Sequence, residues 1–431
     1  MSYYTQYIID TFESIYLNDS SLSIGFDDTD DIQIKSKGLD FFNSSTNYTG
    51  TPIWKSWNET DIPFLFSEEN TLPIITFTKD SKAVINYDII SCAFFFLSGW
   101  QEYHSEKRDQ YGRFLYSESL QNTYNFITIP VVNYYFDILK SAIETISKKT
   151  LKRKLWPDSA LAVSLSHDID KINSGWLEGG FSELKKLRFF SFCRLILSKL
   201  SGNDPWNNLS EIISIEKNLT VPSTFFFLTQ KGNSNADYEL DEVVSYFPKI
   251  LDAKSEYSLH ASLGSCDDPV QLDSEKKNLQ SETNGNRFHF LKFEPKTFVQ
   301  NLDKARFSYD TSLGFAEHIG FRNGFCFPFK PYNISEKKVA EFYEIPLMIM
   351  DATLSNKSYM GNNPNKLKIV YDVINEVSKF NGLLTILWHN NYFSEYKYDG
   401  WKCMYIDLIK NLNKKNAIFL TCNSIIELLK K

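Results

Sequence analysis

The sequence predicts an α/β protein in two parts: a smaller N-terminal α+β domain over residues 1–155 and a parallel sheet with crossover helices over residues 156–431. Three observations predict it. Short β-rich runs recur at intervals of roughly 25–60 residues in the second part, and helical stretches lie between several of them. The first part instead alternates short β-rich stretches with turns and carries a single histidine, His104. Strands alternating with helices favour parallel pairing, because a parallel connection must cross the sheet face and a helix does this compactly. Seven such units could close into a barrel, and the alternation alone fits an open sheet equally well.

In the N-terminal part, Ile89–Gln101 (IISCAFFFLSGWQ) reads as a buried helix and Val131–Ile146 as a second, with apolar residues at helical spacing. The basic run Lys148–Lys154 reads as a solvated linker, and the Trp156-Pro157 step makes a domain boundary there. The expected strands are then Leu161–Ser166, Ser223–Leu228, Tyr257–His260, His318–Arg322, Ile345–Met350, Leu383–Trp388 and Ala417–Thr421. Helices are expected at Leu209–Asn218, Asp241–Ala253, Lys368–Phe380 and Met404–Leu412. Phe181–Leu200 stands apart, with five Lys/Arg against one Glu among large apolar residues. Such a segment could lie flat on an anionic membrane, but a helix packing its apolar face on the sheet is the preferred reading.

Composition bounds the partners. With 46 Lys+Arg against 53 Asp+Glu the chain carries a charge of -7, which argues against a general nucleic-acid binder. Six cysteines, none closer than 19 residues to the next, form no CxxC motif and no disulfide framework. The N-terminus lacks a basic region followed by an apolar one, and no apolar run is long enough to span a bilayer. A cytoplasmic location is therefore expected. The sequence carries no signal of oligomeric state.

Parallel α/β folds build their sites at the C-terminal ends of strands. Four expected strands end there in polar residues. In Ser166-His167-Asp168-Ile169-Asp170, alternation puts Asp168 and Asp170 on one face and His167 on the other. Two such carboxylates can divide the labour of base and metal ligand, although a DxD at a strand end also serves as a turn or cap. His260 and His389 end two further strands, and Arg322 follows the apolar run of HIGFRNGFCFPF, where it can clamp a carboxylate or close a structural salt bridge. Trp388, Phe327 and Tyr332, with Trp176 and Tyr392, lie beside these motifs and are the candidate sugar-stacking platform; core or rim packing is their plainer role.

The order of SHDID (Ser166–Asp170), STFFFL (Ser223–Leu228), the His260 motif, YDTS (Tyr309–Ser312) with GFRNGFCFP (Gly320–Pro328), and LWH (Leu387–His389) resembles the polysaccharide deacetylase domain, NodB-like, of carbohydrate esterase family 4. The resemblance runs from about residue 158 to the end, with an extra N-terminal domain as in one subgroup of that family. It implies a distorted (β/α)7 barrel that hydrolyses an N-acetyl or other N-acyl group from an amino sugar of a polysaccharide or glycan precursor, helped by a divalent metal, usually Zn2+. Carried over, Asp168 is the general base, Asp170 and His260 are metal ligands, Arg322 holds Asp168, and His389 is the general acid.

One departure stands out. The family's second metal histidine lies four positions after the first, and here that position is Gly264 in HASLG. Two protein ligands bind zinc poorly, because catalytic zinc generally has three. Either another residue substitutes or the site holds no tight metal. His289 is the first candidate substitute; His167, His318 and His104 are weaker. The rival reading is a catalytically silent protein of this fold that binds glycan or a biosynthetic partner.

Overall fold

The computed structural model describes all residues except 1–2, 69–70, 157, 233–235, 282–283 and 431. Pro157, expected at the domain boundary, lies outside the described residues.

A nine-stranded sheet organises the C-terminal part. Its strands in chain order are β1 (Leu161–Ile169), β2 (Ser223–Phe227), β3 (Glu256–Ala261), β4 (Gly285–Phe288), β5 (Tyr309–Asp310), β6 (Tyr343–Glu344), β7 (Ile349–Met350), β8 (Leu383–Leu387) and β9 (Ala417–Phe419). They pair in the order β6-β5-β4-β3-β2-β1-β8-β7, with β9 also on β1, and every pairing is parallel. The central strands β1, β2, β3 and β8 are buried throughout because both sheet faces are covered. Strand β8 takes one edge of β1, so β9 and β2 share the other edge in tandem, at residues 161–163 and 165–169 of β1.

The sheet curls. Its two outer strands, β6 and β7, are joined by only the four residues 345–348, so its edges lie within about 18 Å of each other. A side chain on β4 also hydrogen-bonds one on β1, although three strand spacings of a flat sheet would separate those backbones by roughly 14 Å. Among the described residues no ladder joins β6 to β7, so the barrel is closed by the chain rather than by strand pairing.

Several expected elements change. Asp241–Ala253 is α-helical only over Phe247–Asp252, after two 3-10 turns. Ile345–Met350 is a strand only at Ile349–Met350. Two others differ more. His318–Arg322 is not a strand, because its backbone serves the N-terminal part instead: Phe321 N–H donates to the Ile127 carbonyl at 2.8 Å. Gly320 (φ +131) lets that contact form, since a Cβ there would sit 2.4 Å from the same oxygen. Phe181–Leu200 is not one helix packed on the sheet but the larger part of a hairpin of two helices, Gly175–Lys185 and Phe189–Leu200.

The N-terminal part contains helices Tyr3–Ile15, Ile89–Leu97 and Val131–Ser147, a four-stranded sheet and the hairpin Ile53–Trp57/Thr60–Phe64. The basic run after it is no free linker: Lys152–Arg153 pairs with Tyr16–Leu17 as a two-stranded ladder. One continuous apolar core runs from Tyr7 through β1 to Ile426, uniting the two parts. All six cysteines are free thiols. Among the described residues, no helix is long and apolar enough to cross a membrane.

Candidate active site

The C-terminal ends of β1, β3, β4, β7 and β8 open into a cleft of about 690 Å³ lined by Asp168, Asp170, His260, His289 and His389. Asp168 is the penultimate residue of β1 and is buried; Asp170, two residues on, keeps a quarter of its side chain exposed. His167 points to the other face, where its ring bonds the Trp388 carbonyl and Glu216 at 2.7 and 2.8 Å.

Asp168 is held by Arg287 of β4, whose Nη1 donates to Oδ1 at 2.7 Å and to Ser166 Oγ at 2.9 Å. The same guanidinium donates to the carbonyl and hydroxyl of Thr311, so its orientation is fixed at both ends. Burial alone would raise the Asp168 pKa, but the charges of Arg287, His260 and His389 outweigh it and hold the carboxylate ionised.

Arg322 does not hold Asp168. It donates from Nε to Glu102 Oε1 at 2.8 Å and from Nη1 to the Gly314 carbonyl at 2.9 Å, with its second fork nitrogen on Glu102 Oε2. Glu102 belongs to the N-terminal part, so this buried pair clamps the two parts of the chain. The reason lies in the loop: residues 318–322 fold back onto the N-terminal part and carry Arg322 with them.

Beside Asp168, the ligand atoms of Asp170, His260 and His289 lie within 4.8 Å of one another. His260 bonds the Arg287 carbonyl through Nδ1 at 2.8 Å, which leaves Nε2 directed at Asp170 Oδ1, 3.3 Å away. His289 Nε2 stands 3.7 Å from Asp170 Oδ2. Burial would raise the Asp170 pKa, but the two histidines outweigh it and keep it well below the usual range. Asp170 Oδ1 and His289 Nδ1 are buried without a hydrogen-bond partner. A carboxylate and two imidazoles with buried, unspent donor atoms fit a divalent cation such as Zn2+.

The Gly264 position is closed to a ligand. A Cβ there would meet the Gln271 amide at 3.2 Å, and Ser262, Ser265 and Gln271 all donate to Glu275 Oε1. His289 comes instead from the turn after β4. Phe290 (φ 61) and Leu291 (φ 56) both adopt left-handed backbone there, and the His289 ring stacks on Phe290 at 3.9 Å.

Across the cleft, His389 follows β8 and is fixed by Asp351, which follows β7. Asp351 accepts from the His389 backbone N–H at 2.6 Å and pairs with Nδ1 at 2.7 Å. Burial would lower the His389 pKa, but Asp351, with Asp170 and Asp168, raises it to about 10, so the ring is protonated at neutral pH. Nε2 faces the cleft, 4.0 Å from Asp170 Oδ2.

Most of the expected stacking platform is elsewhere. Trp388 is fully buried against Trp401 and Tyr405, Phe327 stacks on Trp156, and Tyr332 packs on Tyr7 and Phe94 of the N-terminal part. Proximity in sequence to a strand end does not decide which way a ring points; tertiary packing puts these three in the core rather than in the cleft. Tyr392 of the expected set does line it, together with Tyr111, Phe290, Tyr359 and Tyr398. Tyr111 stacks on Phe290 at 4.4 Å, so the N-terminal part supplies one wall. Arg287 and Asp351 are the polar residues that the sequence reading missed. Arg287 had one available signal, its period-2 spacing from His289; Asp351 had its place directly after an apolar run.

Among known protein families, the model of a family of unknown function, DUF7033, matches residues 4–148. No curated protein matches the chain. Solved structures similar to it include one described as a polysaccharide deacetylase of Mycobacterium smegmatis (14% identity, TM-score 0.43, covering 64% of this chain and 92% of that one). PuuE allantoinase is similar at 12% identity and TM-score 0.43, over 64% and 92% of the two chains. The peptidoglycan deacetylase PdaC of Bacillus subtilis is similar at 12% identity and TM-score 0.31, over 64% and 93%.

Proposed function

We propose that this protein hydrolyses an N-acyl group, N-acetyl in the first instance, from an amino sugar of a polysaccharide or glycan precursor. One observation carries the reading: a single cleft gathers a carboxylate held ionised (Asp168), an imidazole held protonated (His389) and a three-donor cation site. Amide hydrolysis needs a group that takes a proton from water and another that gives one to the departing amine. Asp168 and His389 meet those needs in opposite protonation states.

The step balances without any further reactant. Water adds to the acyl carbonyl as Asp168 takes its proton. The C–N bond then breaks as His389 passes its Nε2 proton to the amine nitrogen, leaving a free carboxylic acid and an amino sugar. Arg287 orients the base and Asp351 orients the acid. A carboxylate as acidic as Asp168 is a weak base toward free water. A divalent cation held by Asp170, His260 and His289 would acidify that water and polarise the carbonyl. The cleft volume falls within the usual range for small-molecule sites, and its tyrosine walls offer faces for a sugar ring.

The test is acetate release from N-acetylated glucosamine oligomers by protein supplied with zinc. The reading expects release that Asp168→Asn abolishes while the fold is kept. Metal-loaded, folded protein that releases no acid from any acylated amino sugar would overturn it and favour the catalytically silent reading.

A further inference from the structure

We infer that the helical hairpin Gly175–Leu200 is a docking face for an anionic lipid surface. The inference stands independently of the reaction proposed above. Its basis is an apolar stripe that the fold leaves uncovered. On the second helix Phe190, Cys193, Leu197 and Leu200 recur at spacings of three and four and are exposed, Phe190 at 96% and Leu200 at 79%. Among the residues of that helix only Leu195 is buried. On the first helix Leu177 and Phe181, one turn apart, are exposed at 57% and 60%, and Leu187 and Phe189 at the bend are exposed as well. Residues that recur every three to four positions share one helical face, so each helix carries an apolar stripe rather than scattered surface leucines.

The hairpin is built rather than frayed. Gly180 lets the second helix approach closely, since a Cβ there would stand 3.2 Å from Phe192, and Gly179 does the same for Tyr396, 3.1 Å from such a Cβ. Glu183 is buried beneath the bend with Lys186 and Arg188 at 3.6 and 3.8 Å. The apolar stripe therefore stays outward while the polar side of the hairpin is tied down.

Charge selects the occupant. The chain is acidic, at -7, yet Lys185 and Arg194 flank this stripe. Lys186 and Arg188 add positive charge at the bend over the buried Glu183, while Lys199 turns away to Asn173 and Asp204. Lys185 lies over the Phe181 ring at 4.4 Å, its stem covering apolar surface while its charge stays at the edge. A helix pair with large aromatic and leucine side chains rimmed by cations matches the boundary between acyl chains and anionic headgroups. Leu177 and Glu178 also line the cleft, so docking would set the cleft mouth beside the lipid surface.

Cosedimentation of the full chain with vesicles tests this. With equimolar phosphatidylcholine and phosphatidylglycerol the protein should pellet, and pure phosphatidylcholine or high salt should release it. The double variant Phe190→Ser/Leu197→Ser and the variant Lys185→Glu/Arg194→Glu should each weaken partitioning at least about tenfold with unchanged melting curves. Absence of binding to anionic vesicles, or equal binding by the variants, would overturn the proposal. Sedimentation velocity showing a dimer that Phe190→Ser/Leu197→Ser dissociates would also overturn it, because a second copy would then be the occupant.

Discussion

Arg287 on β4 donates to Asp168 on β1 at 2.7 Å across the interior of the curled sheet. This contact both reports the curvature and prepares the chemistry: it fixes the carboxylate's direction and its charge. Both side chains are buried, so the pair is exposed to little screening by salt.

Arg287→Lys should lower acetate release at least about 10²-fold, because an ammonium cannot reach Ser166, Asp168 and Thr311 in the guanidinium's fork geometry. Near-normal kcat in a folded Arg287→Lys protein would remove the positioning role.

Arg322→Met should act differently. It leaves Glu102 buried and unpaired, so it should cost about 3–5 kcal/mol of stability, read by urea unfolding. Metal content should remain at the wild-type level. Loss of metal with unchanged stability would return Arg322 to the site.

Asp351→Asn should reduce kcat by about 10²–10³-fold with little change in KM, since it removes the charge that orients His389 and favours its protonated form. A rise in KM with unchanged kcat would instead mark Asp351 as a substrate-binding residue.

Asp310 and Glu344 are buried partners on β5 and β6. Burial pushes Asp310 up to about 6, and burial together with the Asp310 charge pushes Glu344 well above the carboxylate range. Raised folded values mean that the folded state keeps protons that an unfolded chain, with carboxyls near about 4, releases. Their contribution to stability is therefore full below about pH 4 and is lost as pH rises through the folded values. Glu344→Gln should flatten the fall in unfolding free energy between about pH 5 and pH 7, by up to ~1.4 kcal/mol per pH unit. An unchanged slope would place the proton elsewhere.

The sequence made β1, β2, β3 and β8 legible because strands covered on both faces are written as short runs dominated by apolar residues, such as LAVSL and LLTIL. Strands β5, β6 and β7 have two residues each, too few to show a period, and only the last fell inside an expected strand. Period-2 alternation separated Asp168 and Asp170 from His167, and the gap at Gly264 directed attention to His289. The direction of Arg322 was not legible, because it depends on the long-range bond from Phe321 to Ile127. The same limit applies to Trp388, Phe327 and Tyr332: their chemistry suits sugar stacking, but burial is decided by tertiary packing.

The most direct measurement is elemental analysis of protein purified without chelators or an affinity metal, beside Asp170→Ala, His260→Ala and His289→Ala. The account predicts about one divalent metal per chain, lost in all three variants while their folds persist. Wild-type protein that takes up no metal even after supplementation, or a His289→Ala variant that keeps it, would contradict a cation site built from Asp170, His260 and His289.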